Sequence, residues 1–170
     1  IKMNGNELLW QGIPEIWAGR APLVFPICGG LIDDKFTFEG NEYTIEKHGY
    51  GRLKTFSVES ATETEATFLH ASDEETAKCY PFTYELRITY TLLDNGVKVT
   101  YKVNNLGSTP MYFSIGSHEA YFTPEGIEDY DVIFPQKETL NASKFLGNFL
   151  VDDTNPIIKN STTLPLYDKY

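Results

Sequence analysis

The 170-residue chain is short of cysteine, histidine and positive charge, and each shortage closes off a class of function. Two cysteines, Cys28 and Cys79, cannot build a disulfide framework. Neither lies in a C-x-x-C pair or beside a histidine at ligand spacing, so no zinc site or other metal site is expected. Both read as buried free thiols in a reducing cytoplasm. Fourteen Lys and Arg stand against 24 Asp and Glu, a formal charge of −10, and no basic run occurs. That excludes nucleic acid and an anionic membrane as expected partners. No apolar run nears the ~20 residues of a spanning helix. No basic start leads into a short apolar stretch, so the expected location is cytoplasmic. Without a secretion signal, the N-x-[ST] matches at Asn141 and Asn160 are coincidental. Calcium-loop, phosphate-cradle and nucleophile-elbow motifs are all missing, and no cofactor is expected.

Aromatic residues, in contrast, make up 14% of the chain. Together with many Thr and Val they favour pleated, half-buried surfaces. Residues 53–59, 65–70 and 82–92 alternate apolar and polar side chains, which places one face of each strand on a core. Asp94-Asn95-Gly96 joins strands over 84–93 and 97–103, and its Asn-Gly pair suits a type I′ hairpin turn. Further strands are expected at 111–115 and 130–134, and a hairpin around Asn4-Gly5. No window carries a helical stripe. The expected fold is all-β, an antiparallel sandwich or meander. One domain over 1–170, or part of one, is the expected organisation. The chain opens on Ile1 and stops within LPLYDKY, and both ends look cut from something larger.

Two segments fall outside this scheme. Residues 10–35 hold Trp10, Trp17, Pro22, Phe25, Pro26, Gly29 and Gly30, a long structured loop or edge strand. Such a loop should pack Trp10 or Trp17, together with Pro22 and Phe25, against the sandwich. Asp33-Asp34 and Glu74-Glu75 are adjacent, which on a strand would point them to opposite faces, and Asp73-Glu74-Glu75 reads as a solvated loop. The segment 115–127 is rich in small residues around His118. Of the three histidines, His70 reads as a strand-end surface residue. His48 and His118 each have small neighbours, which let a ligand approach and leave the imidazole room to project. Either histidine can also be read as an ordinary hydrogen-bonded structural residue. Histidine can exchange protons near neutrality, and nearby aromatics suit the apolar faces of a sugar.

At these residues the sequence resembles the aldose 1-epimerase, or galactose mutarotase-like, family, and particularly its LacX-type bacterial branch. ELLWQGIPEIWAGRAPLVFPICGGL at 7–31 resembles the block L-W-x-G…W…AP-x-LFP-I-x-G. EKHGYGR at 46–52 resembles x-HGFxR, and GSHEAYF at 116–122 resembles G-x-HPxF. The resemblance implies a galactose mutarotase-like β-supersandwich, of which the chain would be an incomplete part. It implies interconversion of the α and β anomers of a free sugar or sugar derivative by acid/base ring opening. It casts His118 as the acid on the ring oxygen and His48 as a catalytic sugar-binding and polarising residue. Arg52 becomes a structural or substrate-contacting residue, and Trp10 and Tyr121 substrate-binding ones. His48 and His118 should then line one pocket. The implied partner is a small-molecule carbohydrate, with monomer and dimer both open. Three departures stand out. Gly30 occupies a place where many relatives have arginine, Glu119 and Tyr121 replace the proline and phenylalanine of HPxF, and nothing aligns with the family's late glutamate base. A non-catalytic carbohydrate-binding protein on the same scaffold is the alternative.

Overall fold

Alternation becomes antiparallel pairing almost wherever the sequence shows it. The structure is a computed structural model that describes residues 1–147 and 149–167. Its strands are β1 (Lys2–Met3), β2 (Asn6–Glu7), β3 (Leu23–Val24), β4 (Lys35–Phe38), β5 (Asn41–Thr44) and β6 (Ser57–Ala61). They continue with β7 (Glu65–Ala71), β8 (Tyr84–Leu93), β9 (Gly96–Asn105), β10 (Gly116–Ser117), β11 (Asp131–Leu146) and β12 (Phe149–Pro165). Every ladder between these strands is antiparallel. Contacts sort the chain into two units, Leu23–Ser117 and the pairing of Ile1–Pro22 with His118–Tyr170.

In the unit Leu23–Ser117 the main sheet runs β6-β7-β8-β9. Tyr84, Leu86 and Ile88 are buried from alternate positions of β8, as period-two pleating requires. They pack with Phe25, Ile45, Tyr50, Tyr80 and Phe82 into the core cluster. Phe25 is its hub, edge-on to Tyr50, Tyr80 and Tyr84 at centroid distances of 6.3, 6.3 and 5.2 Å. Thus the long proline-bounded loop does deliver Phe25 into a core.

Several local expectations need correction here. The β8–β9 hairpin closes at Leu93↔Gly96, so its turn is Asp94-Asn95, and none of residues 94–96 has the positive φ of a type I′ turn. Gly96 instead begins β9. Residues 51–53 form a 3₁₀ turn, and the strand expected over 53–59 starts only at Ser57. Residues 111–115 form no ladder, although Met111 and Ile115 pack on the core. Asp33 and Asp34, in the segment expected as a loop or edge strand, sit in a 3₁₀ turn with φ of 54° and 56°. Residues 74–79 form a short helix, α1 (Glu74–Cys79), where a loop was expected. Its cause is a reciprocal cap in which Asp73 accepts from the Thr76 amide at 2.7 Å and Thr76 Oγ1 accepts from the Asp73 amide at 2.8 Å. His70 is buried rather than exposed, because its strand position faces Phe56 and Tyr84. Cys28 is exposed rather than buried, and Cys79 is half-buried.

In the other unit, β1 and β2 form the hairpin around Asn4 and Gly5, both at positive φ. β11 and β12 make a ribbon from Asp131↔Pro165 to Leu146↔Phe149, with several register shifts. It is far longer than the strand expected at 130–134. No helix among the described residues is long and apolar enough to cross a membrane.

Candidate functional site

His48 and Arg52 belong to the unit Leu23–Ser117; His118, Trp10 and Tyr121 belong to the other. Each group is built by its own local chain.

His48 is half-buried in a left-handed turn, with φ of 68° at His48 and 65° at Gly49. Glycine at 49 is obligatory on two counts. Its φ lies where Cβ crowds the backbone, and an added Cβ would stand 2.3 Å from the Phe25 carbonyl oxygen. That close approach carries the pairing of Phe25 with Gly49, in which the Phe25 amide donates to the His48 carbonyl at 3.2 Å. The Gly51 amide returns the bond to the Phe25 carbonyl at 2.9 Å. The His48 amide donates to the Gly29 carbonyl at 2.8 Å, and the Gly29 amide donates to His48 Nδ1 at 3.1 Å. Arg52 is exposed, and its Nη1 donates to the Lys47 carbonyl at 3.1 Å and the Gly49 carbonyl at 2.7 Å. Gly30 lies in the same loop as Gly29, and a Cβ there would find only Lys47 side-chain carbons, at 3.9 Å.

In the other unit, residues 8–10 and 120–122 run antiparallel. The Trp10 amide donates to the Ala120 carbonyl and the Phe122 amide to the Leu8 carbonyl, each at 2.9 Å, around the bridge Leu9↔Tyr121. The His118 amide donates to the Pro22 carbonyl at 3.0 Å. Both tryptophans are half-buried. Trp10 Nε1 donates to the Trp17 carbonyl at 2.7 Å, closing the loop between them. Trp17 in turn lays its ring against the His118 imidazole, with centroids 5.1 Å apart and planes tilted by 43°. His118 is exposed, and Tyr121 is 69% exposed. An imidazole, an indole face packed on it and an exposed phenol therefore belong to one unit, which sets an acid–base side chain beside apolar surface.

The structure thus brings His118, Trp10 and Tyr121 together in one unit and His48 with Arg52 in the other. Sequence reasoning placed Trp17 in the structured loop but not among the site residues. The signal was present, a tryptophan followed by Ala18-Gly19, since bare backbone at Gly19 lets the indole lie on it. Gly29 as the partner of the His48 ring carried no local signal. Among the described residues, no three His, Cys, Asp or Glu side chains gather as metal ligands.

The comparisons with known proteins bear on both groups. The chain is 36% identical to the plasmid-encoded protein LacX of Lactococcus lactis subsp. lactis, over 96% of its own length and 59% of that protein's. Its fold matches a galactose mutarotase related enzyme from Lactobacillus acidophilus with a TM-score of 0.88 and 33% identity, covering 97% of the chain and 56% of that structure. A galactose mutarotase-like protein from Lactobacillus casei matches at 0.85 and 30% identity, over 96% of the chain and 58% of that structure. The strand order described above is therefore that of a galactose mutarotase-like sandwich, of which the chain spans somewhat more than half the relatives' length. The aldose 1-epimerase family model runs through residues 1–153, across all three motif segments, and the chain belongs to that family, on its LacX branch.

Proposed function

We propose that the chain binds a free sugar or sugar derivative and supplies the acid for interconverting its α and β anomers. Opening a cyclic hemiacetal breaks the bond between the anomeric carbon and the ring oxygen. The ring oxygen must gain a proton while the anomeric hydroxyl loses one. His118 gives its proton to the ring oxygen; His48, in the unit Leu23–Ser117, is a sugar-binding and polarising residue by hydrogen bonding. Rotation of the freed carbonyl and reclosure on its other face yield the opposite anomer. The base on the anomeric hydroxyl is not assigned to a residue of this chain. Trp10 and Tyr121, in the unit of His118, offer rings to the sugar's apolar face; in the other unit Arg52 lies beside His48. No metal or other cofactor enters these steps.

The observation that carries this reading is the Trp17–His118 ring contact at 5.1 Å, with Tyr121 exposed three residues on. It sets the residue assigned as acid next to the surface type a sugar ring prefers. The alternative, a carbohydrate-binding protein without catalysis, is favoured by one observation. Gly30 carries no side chain where many relatives have an arginine, so that position supplies no hydroxyl-binding donor.

Polarimetry of freshly dissolved α-galactose and α-glucose separates the two. It is run with the chain and with the longest natural protein that contains it. The longer protein is expected to speed the decay, and His118→Asn to remove most of that gain, ~10²–10⁴-fold. Sugar binding is expected to survive, since one lost hydrogen bond costs about 0.5–1.5 kcal/mol. Equal acceleration by the longer protein and by its His118→Asn variant would show that His118 is not the acid. Binding with no acceleration at all selects the alternative.

A further inference from the structure

Three successive carbonyls of the His48 turn are occupied, and one side chain takes two of them. The Phe25 amide donates to the His48 carbonyl, and Arg52 Nη1 donates to the carbonyls of Lys47 and Gly49, at 3.1 and 2.7 Å. The Arg52 guanidinium therefore grips the backbone on both sides of His48. It grips where help is needed, because a non-glycine residue at a φ of 68° is disfavoured by its own Cβ. The 3₁₀ turn Gly51–Leu53 brings Arg52 back to those carbonyls.

The turn in turn decides the chemical state of the imidazole. A backbone N–H can only donate, so the Nδ1 that receives the Gly29 amide at 3.1 Å carries no proton. The ring proton of the neutral imidazole is then on Nε2. The His48 amide also donates to Gly29, at 2.8 Å, so backbone and ring are held on the same residue. Protonating Nδ1 requires that bond to break.

We infer that Arg52 is a positioning residue for His48: its two backbone bonds hold the left-handed turn that seats Nδ1 on the Gly29 amide, so that His48 meets a ligand as a neutral Nε2–H donor. The ligand half of this statement rests on the sugar-binding reading above; the tautomer half does not. In this arrangement His48 donates to a sugar oxygen and does not serve as the base.

Long-range ¹H–¹⁵N spectra of the ¹⁵N-labelled chain test it. The native His48 ring is expected to show one protonated nitrogen, Nε2, and one bare nitrogen, Nδ1. In Arg52→Ala that pattern is expected to give way to an average over both tautomers, while the His118 ring signals stay in place. Where Arg52→Ala does not yield a folded spectrum, Arg52→Gln is read instead, with the same shift expected. A proton found on Nδ1 in the native chain, or an unaltered single tautomer in the folded variant, overturns the inference. Galactose and glucose are then titrated into the native chain. Movement of the His48 Nε2–H signal supports the sugar reading, and no movement with either sugar rejects that reading without touching the tautomer result.

Discussion

Tyr50 and Tyr84 meet hydroxyl to hydroxyl at 3.1 Å in the buried core of the unit Leu23–Ser117. One comes from the turn that carries His48, the other from the central strand β8. Removal from water raises the pKa of both phenols, that of Tyr84 to about 12, so both stay neutral across the physiological range. The pair ties the turn that carries His48 to the sheet through a buried bond.

Tyr84→Phe is expected to destabilise by ~1–3 kcal/mol, because it leaves the Tyr50 hydroxyl buried without its partner. Adding Tyr50→Phe to the same chain is expected to recover part of that loss. Urea unfolding of the two single variants and the double variant measures the coupling. Strict additivity of the two substitutions would show that the hydroxyls do not depend on one another.

Two glycines with opposite roles make a paired test. Gly49→Ala puts a methyl 2.3 Å from the Phe25 carbonyl oxygen at a left-handed φ, and should cost more than ~1 kcal/mol. Gly96→Ala meets nothing within 4 Å and no left-handed φ, and should fall within about ±0.5 kcal/mol of the native chain. Comparable urea midpoints for the two variants would contradict the structure at both positions.

His70 supplies a pH-dependent term. It is buried, and its Nε2 has no hydrogen-bond partner among the described residues. Burial lowers its affinity for a proton, Asp73 opposes that shift, and Lys54 adds to it. Unfolded histidine titrates near ~6.5, so below that pH the unfolded chain takes up a proton that the folded chain refuses. The stability that His70 contributes is therefore present above ~6.5 and lost as pH falls from there toward the lower folded value. Glu59 and Glu85, held low by Arg87, act only in the more acid carboxylate range. Urea midpoints followed from pH ~7.5 to ~5 should fall more steeply for the native chain than for His70→Leu. Parallel curves would show that His70 takes no part.

What the sequence made legible was what local pattern controls. Period-two alternation located β7, β8 and β9, and Asn4-Gly5 announced the first hairpin, because pleat and turn geometry act over a few residues. The same rule misplaced the β8–β9 turn by one residue, since pairing of Leu93 with Gly96 left only Asp94-Asn95 to turn. His70 looked like a surface residue because nothing in EATFLH reveals that Phe56 and Tyr84 will close over it. At the candidate site, His48, Arg52 and His118 were visible as motif residues. Their partners were not. Gly29 lies 19 residues from His48, and the fact that the Arg52 donors go to backbone depends on a turn that only the folded chain displays.

Gly19→Ala tests the ring pair of the candidate site without touching either ring. A Cβ at position 19 would stand 2.3 to 2.9 Å from Cζ2, Cε2 and Cη2 of the Trp17 indole. The obstruction is a side chain, not backbone, so the indole moves aside and the loop keeps its bonds, including that of Trp10 Nε1 to the Trp17 carbonyl at 2.7 Å. The displaced indole must leave its place 5.1 Å from the His118 ring. Expected is a variant that unfolds within about 1 kcal/mol of the native chain, as loop substitutions away from a core usually do. Its tryptophan emission should differ from native, and galactose and glucose should bind more weakly, by a few-fold to tenfold, the ~0.5–1.5 kcal/mol range of one ring contact. Trp17→Phe, which keeps a smaller ring clear of Gly19, should lie between the two in affinity. Native affinity in Gly19→Ala, alongside altered emission, would show that the Trp17 face takes no part in sugar binding and would leave His118 without the aromatic neighbour on which its assignment leans.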